Sequence, residues 1–186
     1  YERHATKSVD AFLGDKLVKQ IHAFVDDALG EGDATAVADA IARGEISAQE
    51  AGEAAIARIE RVNDSLQAVE QAHYGEALAH PGLGGAFGGV PTMIKDNMDV
   101  LGWPTRHGAT AFRPPVAEKN DPFVDQFLAQ GYTVLGKTRL PEFGFNGSTE
   151  FQGEEPVHNP WHTDYTAGGS SGGAAALVAA GALPIA

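Results

Sequence analysis

Residues 121–135, D-P-F-V-D-Q-F-L-A-Q-G-Y-T-V-L, contain a helix signal followed directly by a strand signal. Asp and Pro are preferred at the N-cap and the first position of a helix, because Asp accepts a bond from a free backbone N–H and Pro lacks one. The apolar spacing predicts an inward face of Phe123, Phe127 and Leu128, with the helix ending at Gly131. The final run, Y-T-V-L, then predicts a buried strand.

A second strand precedes this helix in the chain. The glycine-rich segment 81–89 indicates a loop, and residues 90–94 follow as a short apolar strand that ends at Lys95. The order strand, helix, strand favours a parallel α/β unit. We therefore expect the two strands to lie close together in one sheet.

The region after the second strand is rich in loops. Residues 140–165 show no clear periodicity, and such long loops are usually functional. A glycine-rich turn follows at Gly168–Gly173. A helix is predicted over residues 174–180, and residues 183–186 have the composition of a strand that is just beginning.

The part of the chain before the sheet is predicted to be helical. A short helix is expected over residues 35–43. Ser47 and Glu50 have the spacing of a capping box, in which each residue bonds the backbone of the other, and the helix that they open is expected to run to about Val62. Gly52 inside this helix costs about 1 kcal/mol relative to Ala, which a close packing contact would explain.

Composition excludes several classes of function. The 186 residues carry a formal net charge of −12, whereas phosphate binding needs a basic face, so we expect no nucleic acid partner. The absence of Cys excludes thiolate metal sites and a cysteine nucleophile, and it fits a reducing, cytoplasmic location. The start of the sequence contains no long apolar run, so we expect neither a signal peptide nor a membrane partner. Residues 1–20 differ in charge balance and periodicity, and we treat them as an extension.

The turn Gly168–Gly173 has the sequence G-G-S-S-G-G, which several functions could use because glycines let the backbone approach a ligand closely. A phosphate cradle is disfavoured, since no Lys follows the last glycines. A hydrolase elbow of pattern G-x-S-x-G fits once, with Ser171 at its centre. A site shared with Lys95 and a flexible linker are two further interpretations.

Lys95 is the second candidate for chemistry because it ends an apolar strand. Burial beside a serine lowers the pKa of a lysine towards about 7–8, so that the free amine accepts a proton. Ser–Lys pairs are a known variant of nucleophilic catalysis. Lys137, at the end of the second strand, competes with Lys95 for this role, and we interpret it as structural.

These segments together resemble the amidase signature family. The resemblance rests on G-V-P-x-x-I-K-D-N at residues 89–97 and G-G-S-S-G-G at 168–173, with L-G-K-T at 135–138 and N-P-W at 159–161 between them. It covers roughly residues 21–186, which it identifies as the N-terminal part of a single amidase domain whose C-terminal remainder is missing. The fold that it implies is α/β, with N-terminal helices followed by part of a mixed sheet flanked by helices.

The resemblance also implies a Ser–cis-Ser–Lys triad. Lys95 matches the family's catalytic lysine, and Ser170 matches the bridging serine, which follows a cis peptide bond. Ser171 matches a supporting serine, together with the glycines Gly168 and Gly169. The nucleophile is expected in a D-x-G-G-S segment beyond the last residue, so residues 1–186 alone are expected to be inactive.

The resemblance further implies that backbone around Gly144 and Phe145 borders the acyl pocket. The implied reaction is the hydrolysis of a carboxylic amide to an acid and ammonia or an amine through an acyl-enzyme. Two alternatives stay open: a non-catalytic fragment or binding module, and an amidotransferase-type subunit of the same family.

The expected partner is a small-molecule amide, with a homodimer left open. No cofactor is expected. No metal is expected either, because Pro160 between His158 and His162 disfavours a helical histidine pair.

Overall fold

A computed structural model describes residues 20–186. The helices are α1 (Ala34–Ala42), α2 (Ala48–Leu66), α3 (Tyr74–Ala79), α4 (Pro122–Leu128) and α5 (Gly172–Ala179), with a 3₁₀ turn at Glu142–Gly144. The strands are β1 (Val69–Ala72), β2 (Pro91–Lys95), β3 (Thr133–Thr138), β4 (His158–Asn159) and β5 (His162–Thr166). The extension expected over residues 1–20 lies outside the described residues, apart from Gln20.

The main sheet is small and mixed, with the strand order β1-β3-β2. Strands β2 and β3 are parallel and are connected through α4, which confirms the predicted strand–helix–strand unit. β1, which the sequence patterns did not reveal, pairs antiparallel with β3. Lys95 at the end of β2 is the register partner of Thr138 at the end of β3. The fold class is therefore mixed α/β, as expected.

Helix α2 begins at the predicted capping box. Glu50 N donates to Ser47 Oγ at 3.1 Å, and Ser47 N donates to a Glu50 carboxylate oxygen at 2.8 Å. The helix continues one turn beyond the expected end at Val62, to Leu66. A Cβ on Gly52 would lie 2.9 Å from Leu78 Cδ2. The predicted packing contact thus exists, and it is made by α3.

Three details of the sequence prediction are wrong. Phe123 is 55% exposed, while Val124 is fully buried, because Val124, Phe127 and Leu128 form the i, i+3, i+4 stripe of α4. Residues 183–186 are irregular rather than a strand, although Ile185 O accepts a bond from the Thr92 hydroxyl.

The third error concerns residues 140–165. The segment expected to be irregular contains β4 and most of β5, which form a two-stranded antiparallel sheet. The predicted start of α4 is confirmed, since Asp121 occupies the N-cap and Pro122 follows it, although the Asp121 side chain makes no capping bond in the described structure. Its carboxylate instead accepts a bond from Asp99 N at 2.8 Å, so it ties the preceding loop to the helix.

The N-terminal segment is held to the core by one buried cation. Arg58 on α2 is 3% exposed and forms an ion pair with Asp27. It also donates to Gly181 O at 2.9 Å, in the turn after α5. Within residues 20–186, no helix is long and apolar enough to cross a membrane.

Candidate active site

Lys95 and Ser170 meet at the carboxyl end of β2. The ammonium nitrogen Nζ of Lys95 donates to Ser170 Oγ at 2.7 Å, across a sequence separation of 75 residues. Both side chains are half-buried. Burial lowers the pKa of Lys95 from its ordinary value, because a charged amine loses solvation there. The pair thus joins a hydroxyl to a lysine that gives up its proton more readily than usual.

The glycine-rich turn that carries Ser170 is tightly packed. The Gly169–Ser170 peptide bond is cis, as the family resemblance implies. A Cβ on Gly173 would lie 2.5 Å from Ala68 O and 2.6 Å from Arg139 N. Gly173 N also donates to Arg139 O at 3.1 Å. The interpretation of this turn as a flexible linker is therefore wrong, since glycine is needed here for close approach to neighbouring backbone.

The two serines of the turn have different surroundings. Ser170 is half-buried and bonded to Lys95, whereas Ser171 is exposed and lies at the N-cap of α5. In the described structure the Ser171 side chain makes no capping bond. The turn therefore presents one hydroxyl to the lysine and the other to the start of a helix.

An apolar cavity of about 380 Å³ lies beside this pair. Lys95 and Ser171 contribute polar atoms to its wall, and Phe123 and Phe127 of α4 contribute aromatic surface. Phe123, which is 55% exposed, therefore lines this cavity with part of its side chain. The site combines a lysine of lowered pKa with an apolar space next to it.

Lys137 lies one strand away in a different environment. It is fully buried and forms an ion pair with Asp96 at 3.1 Å. Its Nζ also donates to Pro104 O and to the Thr105 hydroxyl, at 2.9 and 2.7 Å. Burial lowers the pKa of Lys137, and the charge of Asp96 opposes that shift. The contacts of Lys137 are those of a structural residue.

Gly144 and Phe145 differ in their relation to the pair. A Cβ on Gly144 would lie 3.8 Å from Ser170 Oγ, so the Gly144 backbone lies next to Ser170. The side chain of Phe145 is 92% exposed. Phe143 has a positive φ of 50°, which turns the chain at this point.

The histidine pair of the 158–162 segment does not form a metal site in the described part of the chain. His158 Nδ1 lies 2.6 Å from Thr163 O. Over residues 20–186, no group of three His, Cys, Asp or Glu side chains could hold a metal ion.

One residue that contacts the turn has no signal in the sequence. Thr149 is fully buried and bonds the carbonyl of Gly168. It lies in a segment without periodicity, 19 residues before its partner. No local pattern could have indicated this contact.

The chain matches the family model for Amidase over residues 50–186. "Putative amidase AmiC" of Mycobacterium tuberculosis is 49% identical over 147 residues, which are 77% of this chain and 31% of that protein. An indoleacetamide hydrolase of Bradyrhizobium diazoefficiens is 41% identical over 152 residues, covering 74% of this chain and 28% of that protein. A glutamyl-tRNA(Gln) amidotransferase subunit of Methanosarcina barkeri is 40% identical over 122 residues, covering 66% and 25%.

Solved structures agree with these matches. The structure of 6-aminohexanoate cyclic dimer hydrolase complexed with substrate is similar with a TM-score of 0.76 and 36% identity, over 86% of this chain and 33% of that one. The chain belongs to the amidase signature family. It spans between a quarter and a third of the length of these relatives.

Proposed function

We propose that the chain is the N-terminal part of an amidase that converts a carboxylic amide to an acid and ammonia or an amine through an acyl-enzyme. The observation that carries this proposal is the 2.7 Å contact between Lys95 Nζ and Ser170 Oγ. The lowered pKa of Lys95, caused by burial, supports its role as the base. Membership of the amidase family supports the class of reaction.

The proposed mechanism uses the pair as a proton relay. Neutral Lys95 accepts the proton of Ser170 Oγ, which accepts the proton of a nucleophilic serine in a D-x-G-G-S segment after residue 186. The oxygen of that serine attacks the amide carbon, and the C–N bond breaks as the relay returns the proton to the leaving nitrogen. Water then attacks the acyl carbon and gives a proton to the same relay, and the ester C–O bond breaks as the relay returns that proton to the oxygen of the nucleophilic serine, which releases the acid.

Further parts of the proposal concern the surroundings of the reaction. The proximity of Gly144 to Ser170 supports a role for this backbone, with Phe145, beside the acyl group. Ser171, Gly168 and Gly169 have a supporting role in the proposed site, as parts of the turn that carries Ser170. The partner would be a small amide, in a cytoplasmic protein without cofactor; the lack of Cys is consistent with that compartment.

A fluorophosphonate probe, which reacts with activated serines, tests the proposal. Residues 1–186 alone should not be labelled, whereas the chain extended by the coding sequence that follows Ala186 should be. Lys95→Ala and Ser170→Ala should abolish labelling of the extended chain. Two exposed residues of the same types provide controls, since Lys119→Ala and Ser65→Ala should keep it.

Labelling of the short chain at Ser170 or Ser171 would overturn this mechanism. Failure of a folded extended chain to react would favour a non-catalytic protein or a binding module.

An amidotransferase-type subunit is a second candidate, favoured by the 40% identity to the Methanosarcina barkeri protein of that kind. This function would require partner subunits and a tRNA-bound substrate. The net charge of −12 does not suit unaided tRNA binding. Hydrolysis of small amides by the extended chain alone, without tRNA, would support the amidase; activity only with partners and tRNA would support the second candidate.

A further inference from the structure

Thr149 lies directly against the turn that carries Ser170. Its side chain is fully buried, in a segment that precedes the β4–β5 hairpin. Among the contacts of the described residues, its hydrogen bonds involve the turn and the hairpin. Thr149 therefore contacts the turn that carries Ser170 of the proposed relay, and it bonds to neither Lys95 nor Ser170.

The first contact of Thr149 is with the residue two positions before Ser170. The Thr149 hydroxyl donates to Gly168 O at 2.7 Å, and Thr149 N donates to the same oxygen at 2.9 Å. A carbonyl held by two donors from one residue has little freedom to rotate. The plane of the Gly168–Gly169 peptide is thereby fixed.

The second contact is with the residue two positions after Ser170. A Cβ on Gly172 would collide with Thr149 Oγ1 and would lie 2.7 Å from Thr149 Cβ. Both approaches are far closer than van der Waals contact, so the side chain of Thr149 occupies the space that any larger residue at 172 would need. The turn is thus held on both sides of Ser170 by one residue.

Thr149 is itself fixed by the residues that directly flank the β4–β5 hairpin. Its carbonyl accepts a bond from Val157 N at 2.9 Å, and Val157 O accepts one from Ala167 N at 2.8 Å. Val157 is fully buried. The carbonyl of Thr149 is therefore bonded to Val157 while its hydroxyl is bonded to the turn.

We propose that Thr149 is a positioning residue, whose hydroxyl and side-chain shape hold Ser170 Oγ in line with Lys95 Nζ. This inference rests on the proposed function, because it assigns Thr149 a role in the same proton relay. A displacement of about 1 Å at a reacting group can cost on the order of 100-fold in rate. Losing the hydroxyl leaves the Gly168 carbonyl with only the bond from Thr149 N, so the peptide plane gains freedom to rotate and such a displacement becomes possible.

Three variants of the extended chain test this role with a small amide substrate. Thr149→Val keeps the shape and removes the hydroxyl, whereas Thr149→Ser keeps the hydroxyl. Thr133→Val is the matched control. Thr133 lies in β3 and is also buried, and its hydroxyl accepts a bond from Gly82 N at 3.1 Å. We expect Thr149→Val to lower kcat roughly 30- to 100-fold with little change in KM, and Thr149→Ser and Thr133→Val to stay within about 3-fold of the parent.

The outcomes separate positioning from stability. Urea unfolding of all three variants measures the loss of stability, which should be similar for the two valine variants. An unchanged kcat in Thr149→Val would overturn the proposal, as would an equal loss of kcat in Thr133→Val or no rescue by Thr149→Ser. Lys95→Ala and Ser170→Ala in the same assay test the proposed function itself. If those two variants are inactive and Thr149→Val is not impaired, only the positioning role fails.

Discussion

Two lysines stand near the ends of neighbouring parallel strands, and their surroundings differ. Lys95 on β2 is half-buried and donates to the neutral hydroxyl of Ser170. Lys137 on β3 is fully buried and faces the carboxylate of Asp96. Burial lowers the pKa of both lysines, but for Lys137 the negative charge of Asp96 opposes the shift.

The difference shows what decides the role of a buried lysine. A lysine without a carboxylate partner loses solvation and gains no compensating charge, so its neutral form becomes more accessible. A lysine paired with a buried carboxylate holds its proton as part of an ion pair, and each partner depends on the other. Lys95 therefore suits proton transfer, and Lys137 suits a structural role.

The largest expected effect is on activity. Lys95→Ala in the extended chain should lower kcat by about 10²–10⁴-fold, because it removes the proposed general base. Steady-state amide hydrolysis measures this loss. The exposed-lysine variant Lys119→Ala should be close to the parent. If the Lys95→Ala enzyme stays active, Lys95 is not the general base, and the proposed difference in role between Lys95 and Lys137 is wrong.

The next effect is on stability, and it should fall on the other lysine. Lys137→Met should lower the free energy of unfolding by about 3–5 kcal/mol, because Asp96 is left buried without its counter-charge. Lys95→Met should change it by about 1 kcal/mol or less. Urea denaturation of the extended chain compares the two variants.

A double variant sharpens this comparison. Asp96→Asn combined with Lys137→Met removes both charges and should recover part of the lost stability. If the double variant is no more stable than Lys137→Met, the uncompensated charge of Asp96 is not the cause of the loss.

The pH dependence of kcat/KM for the extended chain should follow the titration of Lys95. The base must be neutral, so kcat/KM should rise with pH and level off above the pKa of Lys95. Since burial lowers that pKa, the rising limb should lie below the ordinary lysine value of about 10.4. A profile of kcat/KM between about pH 5 and pH 10 measures it. A limb at the ordinary lysine value would contradict a lowered pKa of Lys95, and a Lys95→Ala variant with the same limb would show that another group titrates.

The smallest expected effect belongs to the second serine. Ser171→Ala should lower kcat by less than about 10-fold, whereas Ser170→Ala should approach the loss of Lys95→Ala. The reason is that Ser170 bonds the lysine, while Ser171 is exposed at the start of α5. Equal losses for the two variants would contradict the assignment of the relay to Ser170.

Much of the local structure follows from sequence patterns. The capping box at Ser47 and Glu50 and the parallel pair β2–β3 are predicted correctly, because caps and hydrophobic runs depend on near neighbours. The face of α4 is predicted wrongly. The apolar character of Phe123 favours a core position, but a helix of seven residues has one narrow stripe, and Val124 occupies it.

The candidate site is predictable only in part. The motifs that contain Lys95 and Ser170 are visible in the sequence and resemble those of a family. Thr149 has no such signal, because its contacts depend on how residues 146–149 fold beneath a turn that follows the hairpin.

The sequence by itself determined the α/β class, the strand that ends at Lys95 and the motifs of the amidase signature family. The tertiary structure decided which lysine meets a hydroxyl and which meets a carboxylate. Lys95 and Ser170 are 75 residues apart, and the ion pair of Lys137 joins the ends of two different strands. The proton affinity of a buried amine depends on charges and dipoles within a few ångströms, and those neighbours are fixed only when distant segments pack together.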